Sequence, residues 1–243
     1  MTEKVALVTG ASRGIGRAIA ERLGADGARV VVNYLADRVA ADEVVAAIQQ
    51  AGGVGVAARA DVADPAQLRG LFDLAESRFG RLDVLVSNVG TARFGPIAEA
   101  ADEDFDAMFA TNARAGFVAL REAANRLRPG GRVVVISSGV TVTTRPGAGV
   151  YAASKAAVEQ LVRILALELG PRGITVNSVL PGAVRTDALV AGLSESALEE
   201  AVAQTPLGRL GEPADIADVV AFLVSEQGRW VTGQAVRAGG GLF

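Results

Sequence analysis

Tyr151 and Lys155 stand four residues apart in the run Tyr-Ala-Ala-Ser-Lys, at the start of a helical stretch. Residues at i and i+4 share one face of a helix, so a phenol and an ammonium can act at one locus. A neighbouring Lys favours the phenolate and is expected to lower the Tyr pKa toward the working pH, making it a usable proton donor or acceptor. The competing reading is a Tyr that packs at a helix N-terminus. Composition weighs on the side of chemistry. The 243-residue chain has no His and no Cys, which excludes Ser-His-Asp triads, His-based metal or haem sites, thiolate zinc, Fe–S centres and Cys nucleophiles. No metal site is expected, and acid–base work falls to carboxylates, Lys or Tyr. Of 24 basic residues, 22 are Arg and only Lys4 and Lys155 are Lys. A chain otherwise built with Arg keeps Lys where a compact, mobile ammonium is wanted. Ser138, at the close of an apolar run, adds a hydroxyl to the candidates.

A second set of residues suits a phosphate-bearing ligand. The first apolar run leads into Thr9-Gly10-Ala11-Ser12-Arg13-Gly14-Ile15-Gly16, followed by a helix. Glycines let the backbone turn sharply and approach a diphosphate, and the helix start offers free N–H groups and positive potential. A tight turn alone would also use glycines. The position after the first strand of an alternating pattern favours a dinucleotide, with Gly10, Ser12, Arg13, Gly14, Ile15 and Gly16 as its contacts. An acid about 20 residues further on would bind a ribose 2′-hydroxyl and repel a 2′-phosphate. Here the second run ends Val31-Val32-Asn33-Tyr34-Leu35-Ala36, with no acid before Asp37. Asn33 and Tyr34 therefore join the binding set, and Arg13 is placed to pair with a phosphate. NADP(H) is the expected cofactor; NAD(H) stays open as the alternative.

The elements that must position these groups follow from the hydropathy pattern. Strand-like runs at Val5–Thr9, Arg29–Asn33, Gly55–Ala60, Leu82–Ser87, Arg132–Ser137 and Thr175–Leu180 alternate with helical stretches near 14–24, 37–51, 65–79, 101–128 and 150–169. Continuous apolar strands separated by helices require a parallel sheet covered on both faces. Gly52-Gly53 and Pro129-Gly130-Gly131 mark helix stops. No repeat, linker or composition shift interrupts the pattern, so residues 1–243 read as one α/β domain with a doubly wound parallel sheet, a Rossmann fold. Ligands on such sheets sit at the carboxyl ends of the strands, where the candidates lie.

Taken in order, Thr9–Gly16, Asp61-Val62, Asn88-Val89-Gly90, Asn112, Ser138, Tyr151, Lys155 and Pro181-Gly182 through Thr186 resemble the short-chain dehydrogenase/reductase family, in its single-domain branch. The likeness runs over essentially the whole chain and is most similar to 3-oxoacyl-thioester reductases and polyhydroxynaphthalene-type ketoreductases. It implies that Tyr151 is the general acid in ketone reduction and that Ser138 hydrogen-bonds the carbonyl. Lys155 would hold the nicotinamide ribose and depress the Tyr pKa, and Asn112 would anchor a water that links Lys155 to solvent. Asp61 and Val62 would border the adenine, Asn88 and Gly90 the adenosine side. Pro181, Gly182, Val184 and Thr186 would cradle the nicotinamide. Two departures stand out: Val89 replaces the usual Ala, and the C-terminus reads Arg237-Ala238-Gly239-Gly240-Gly241-Leu242-Phe243.

Residues 183–212 are the expected substrate lid, with a short helix at 194–204. Thr141, Val142, Arg145, Val150 and the stretch 91–94 are expected to line the same pocket. The helix at 150–169 carries a stripe of Val158, Leu161, Val162, Leu165 and Leu169, with Ile164 and Leu167 off it. A helix apolar on more than one face packs on more than one side, and the resemblance implies a homotetramer. The net charge of −3 and scattered arginines speak against nucleic-acid binding. No uncharged stretch is long enough to span a bilayer, and the N-terminus enters a strand pattern directly, so a cytoplasmic location is expected. The leading function is NADP(H)-dependent reduction of a ketone, as a 3-oxoacyl thioester or a small or aromatic ketone. Arg128 and Arg172 are cations that could meet an acidic carrier protein. The alternatives are an NAD-dependent alcohol or sugar dehydrogenase and, from another class, a dinucleotide sensor that does no chemistry.

Overall fold

The computed structural model describes Met1 and residues 3–243. Seven strands form one parallel sheet in the order β3-β2-β1-β4-β5-β6-β7. The strands are β1 (Val5–Val8), β2 (Arg29–Tyr34), β3 (Val54–Arg59), β4 (Val84–Ser87), β5 (Arg132–Ile136), β6 (Thr175–Pro181) and β7 (Ala235–Ala238). The helices between them are α1 (Gly14–Ala25), α2 (Arg38–Gln50), α3 (Pro65–Phe79), α4 (Asp102–Met108), α5 (Ala115–Arg126), α6 (Gly149–Leu169), α7 (Asp187–Gly192), α8 (Glu195–Gln204) and α9 (Pro213–Val224). The chain forms the doubly wound α/β sheet that its hydropathy pattern calls for.

β1 is apolar at every position, and β4 and β5 at all but one, because both faces of these strands are covered. Alternate side chains of β1 feed opposite cores. Val5 and Leu7 pack with Phe72 of α3, Leu120 of α5 and Val162 of α6. Ala6 and Val8 pack with Ile19 of α1, Ile48 of α2 and Val220 of α9. Strand order reverses between β1 and β4, and the loops leaving the strands' carboxyl ends gather over that crevice.

Several details depart from the sequence reading. β7 and α9 are additional elements. The stretch 101–128 is not one helix: α4 and α5 are joined by a wide π turn at Phe109–Arg114, and α5 stops at Arg126, where Leu127 turns extended. On α6, Val158, Val162, Leu165 and Leu169 are buried, whereas Leu161 stands with Ile164 and Leu167 on the exposed side. The 3.6-residue period puts 158, 162, 165 and 169 on one line and turns 161 away from it. Among the described residues, no helix is long and apolar enough to cross a membrane.

Candidate active site

The glycine-rich turn after β1 is held from both sides by asparagines. The Gly10 N–H donates to Asn33 Oδ1 at 3.0 Å, and the Gly10 carbonyl accepts from Asn88 Nδ2 at 3.1 Å. Asn33 Nδ2 also donates to the carbonyls of Ala58 and Ala60, and Asn88 Nδ2 to that of Thr9. Both side chains, Asn33 of the expected binding set among them, are thus bonded into the loop. Tyr34 is likewise buried against the core beside β2. Gly10 and Gly14 adopt left-handed φ values of 59° and 55°, conformations that glycine takes without a Cβ clash. A Cβ at Gly16 would fall 2.2 Å from the Gly10 carbonyl oxygen, so α1 can begin only where it does.

The result is a cradle of the right chemistry for a diphosphate. The first-turn N–H groups of Gly14, Ile15 and Gly16 have no helical acceptor, and the helix dipole points its positive end at the same place. Ser12 lies half-buried at the entrance. Thr186 faces the loop closely: a Cβ at Gly14 would stand 3.2 Å from its methyl. Arg13 occupies the N-cap of α1, exposed, and among the described residues it makes no ion pair. Asp37, the first acid after β2, is committed elsewhere: it caps α2 by accepting from the Ala40 N–H at 3.0 Å. Asp61 turns back on its own loop, accepting from the Ala63 N–H at 2.9 Å, and Val62 lies in the core beneath it.

Across the crevice, the structure brings Asn112, Ser138, Tyr151 and Lys155 together. Lys155 is buried, and its ammonium donates to the Ile136 carbonyl at 3.1 Å. A Cβ at Gly90 would lie 2.6 Å from Lys155 Nζ and 3.4 Å from Asn112 Oδ1, so the bare backbone there lets the ammonium keep its place. Gly90 therefore stands at the ammonium itself. Asn112 sits in the π turn. Its Oδ1 accepts from the Thr91 N–H at 2.9 Å, while its Nδ2 donates to the Thr91 carbonyl at 2.8 Å and to Ser154 Oγ at 2.9 Å. Ser154 in turn donates to the Tyr151 carbonyl at 2.7 Å. Both amide hydrogens of Asn112 are thereby used in pinning the loop after β4 to the first turn of α6.

Burial raises the Tyr151 phenol above its ordinary pKa, and the facing Ser138 hydroxyl works against that rise. This direction is opposite to the depression expected from Lys155, whose ammonium donates to the Ile136 carbonyl. Burial lowers Lys155 to a pKa of about 8, opposed by the negative charge of Glu159. The Phe94 ring lies edge-on to Tyr151 with centroids 5.8 Å apart, and the Arg145 guanidinium covers Phe94 at 4.9 Å.

The segment after β6 completes the site. Gly182 N–H donates to the Ala238 carbonyl at 3.1 Å, tying Pro181-Gly182 to β7. Buried Val184 pairs with Gly211, so the two ends of the 183–212 excursion are zipped to each other. Thr186 caps α7 by accepting from the Leu189 N–H at 3.2 Å. Between these ties, α7 and α8 bury no residue. Sequence reasoning passed over Ser137, Ser154, Glu159 and Phe243. The i+4 spacing of Glu159 from Lys155 was the signal available for one of them.

A seven-stranded doubly wound sheet with a glycine cradle on one side of its crevice and a Ser, Tyr and Lys set on the other defines a dinucleotide-dependent oxidoreductase architecture. The matching family model, described as enoyl-(acyl carrier protein) reductase, spans residues 10–243. An uncharacterised oxidoreductase of Methylorubrum extorquens is 48% identical, with 98% of this chain and 97% of that protein covered. Versicolorin reductase of Emericella nidulans is 42% identical, with 99% and 96% covered. Among solved structures, the angucycline C-6 ketoreductase LanV with bound NADP superposes with a TM-score of 0.94 at 42% identity, covering 99% of this chain and 96% of LanV. The chain belongs to the short-chain dehydrogenase/reductase family.

Proposed function

We propose that the protein is an NADP(H)-dependent ketoreductase, interconverting a ketone and a secondary alcohol. The observation that carries the cofactor reading is the pairing of a free Arg13 with an Asp37 committed to capping α2. A guanidinium without a partner at the helix start favours a 2′-phosphate, and no carboxylate is left to bind the 2′-hydroxyl. The NADP in the superposed ketoreductase agrees with this.

The residues present fit the group: Gly10 and Gly14 turn the chain sharply at φ 59° and 55°, and the first-turn N–H donors at 14–16 suit a diphosphate. When bound, the reduced nicotinamide supplies the hydride. Ser12 and the N–H groups at 14–16 would hold the diphosphate, and Pro181, Gly182, Val184 and Thr186 would hold the nicotinamide side. Ser138 orients the substrate carbonyl. Tyr151, kept as the neutral phenol by burial, delivers its proton to the carbonyl oxygen. Lys155 supplies positive charge beneath that proton transfer, and Asn112 fixes the loop bearing Gly90 and Thr91 over it. A hydroxyl and a phenol that converge on one oxygen suit a C=O group, which favours ketone over enoyl reduction.

The lightly attached α7 and α8 form a lid that excludes water over the substrate. Arg145 over Phe94 at the mouth favours a planar aromatic ketone, with a 3-oxoacyl thioester as the second candidate. Arg172 does not serve a carrier protein, because its guanidinium donates to the Ala124 and Leu127 carbonyls at the end of α5. The exposed apolar residues Phe117 on α5 and Leu161, Ile164 and Leu167 on α6 support a homotetramer. A cytoplasmic location remains part of this reading. The deciding assay measures oxidation of NADPH and NADH against acetoacetyl-coenzyme A and a compact cyclic diketone in parallel. Turnover with NADPH on either substrate supports the proposal, and its loss on both substrates with both cofactors overturns it.

A further inference from the structure

A buried carboxylate lies one helical turn beyond Lys155. Glu159 is 4% exposed, and a carboxylate so enclosed requires partners. From the end of β5 it accepts a hydrogen bond from Ser137 Oγ at 2.5 Å. On α6 it lies between Lys155 and Arg163, whose guanidinium reaches Glu159 Oε2 at 4.0 Å from an exposed position. Among the described residues, no other cation lies within 4.0 Å of it. Ser137 and Ile136 are successive residues of the strand end that leads to Ser138. Glu159 binds the hydroxyl of the first, and Lys155 the carbonyl of the second. One helix thus grips the strand end through a carboxylate and an ammonium set one helical turn apart.

We propose that Glu159 is a positioning residue of the reduction, holding Ser137, and through it Ser138, against α6 and acting as the counter-charge that keeps the buried Lys155 ammonium protonated. This rests on the ketoreductase reading for its catalytic consequence, but not for its electrostatic one. Burial disfavours the ammonium, and a negative charge nearby restores it; the opposition of these two effects at Lys155 accords with the geometry.

The two functions of Glu159 separate by substitution. Glu159→Gln keeps an acceptor for Ser137 and removes the charge, whereas Ser137→Ala removes the hydrogen bond and keeps the charge. The chain has two lysines, so protein carrying 13C-labelled lysine side chains gives one NMR signal for Lys155 and one for Lys4 as an internal reference. Titration of the free enzyme should show the Lys155 midpoint falling by roughly one pH unit or more in Glu159→Gln and unmoved in Ser137→Ala. In NADPH-dependent turnover of a cyclic diketone, the alkaline limb of kcat should move down with that midpoint in Glu159→Gln. Ser137→Ala should lose kcat, with its pH profile unshifted. A Lys155 midpoint that is the same in Glu159→Gln and wild type overturns the counter-charge. Unchanged kcat in Ser137→Ala overturns the positioning. If Glu159→Gln does not fold, Arg163→Ala at the exposed end decides: removal of the competing cation should leave the Lys155 midpoint unchanged or raise it, and a fall overturns the proposal. Absence of any ketone turnover in the wild type would remove the ketoreductase reading while the titration still tests the charge pairing.

Discussion

The ring of Phe243 lies on the Cα of Gly139, the residue after Ser138. A Cβ at Gly139 would fall 2.1 Å from Phe243 Cε1, and one at Gly239 would fall 2.6 Å from its Cζ. The ring is therefore seated between two glycines, one beside Ser138 and one just past β7. Gly240 accepts from the Leu207 N–H at 3.2 Å, so the same tail also reaches the returning end of the lid. Gly139→Ala should displace either the ring or the Ser138 loop and reduce kcat roughly ten- to a hundredfold. Gly139→Ala combined with Phe243→Ala should recover much of that loss. Additive losses in the double variant would mean that the ring and the loop are independent.

Tyr151→Phe removes only the phenolic hydroxyl from a buried ring. Ketone reduction should fall by about a hundredfold or more, with NADPH affinity retained in a fluorescence titration. Turnover equal to wild type would take Tyr151 out of the role of acid.

Opposite pH responses are expected for the two directions of the reaction. The raised Tyr151 keeps its proton through neutral pH, so reduction starts from the competent form and oxidation does not. Lys155 loses its charge as the pH rises through about 8. Reduction should therefore be sustained below that pH and decline above it, while alcohol oxidation should rise toward alkaline pH as phenolate forms. Paired initial-rate profiles in both directions test this, and parallel profiles would contradict it.

Arg13→Ala should weaken NADPH binding roughly ten- to a hundredfold, the scale of a lost hydrogen bond to a charged group, and leave NADH nearly unaffected. Equal losses for both cofactors, read by isothermal calorimetry, would assign Arg13 to something other than a 2′-phosphate.

Asn33 and Asn88 should matter to stability before they matter to binding. Asn33→Leu leaves the Gly10 N–H and the Ala58 and Ala60 carbonyls without their partner and should cost about 1–3 kcal/mol. Denaturant unfolding measures this, and a loss of cofactor affinity at unchanged stability would restore Asn33 to direct binding.

The central strands were legible as short continuous apolar runs, and the three helices that follow β1, β2 and β3 because each is long, periodic and bounded by glycine or a capping carboxylate, as at Asp37 and Asp64. The Tyr151–Lys155 pair stood out because the chain has only two Tyr and two Lys, whereas Asn112 and the role of Ser138 entered with the family resemblance. β7 was not legible: four residues, three half-buried and Arg237 exposed, hold their place by pairing with β6 across more than fifty positions, a long-range cause that leaves no local period. α9 fell next to the lid and is apolar on most sides, which blurs the pattern of a surface helix. The roles of Asn33 and Asp37 were hidden for another reason. A polar side chain at a strand end reads the same whether it faces a ligand or its own backbone.

The π turn at Phe109–Arg114 holds one residue more than an α-helical turn would need. Deletion of a single codon there would let α4 and α5 merge into one regular helix, with every element still present. Asn112 or its neighbours would then rotate by about 100° around the axis, and the amide that reaches both Thr91 and Ser154 would lose at least one of them. The chain would remain folded by every spectroscopic measure of helix and sheet, yet the loop bearing Gly90 would no longer be moored to α6. Here a sensitive length lies inside a helix rather than in a loop.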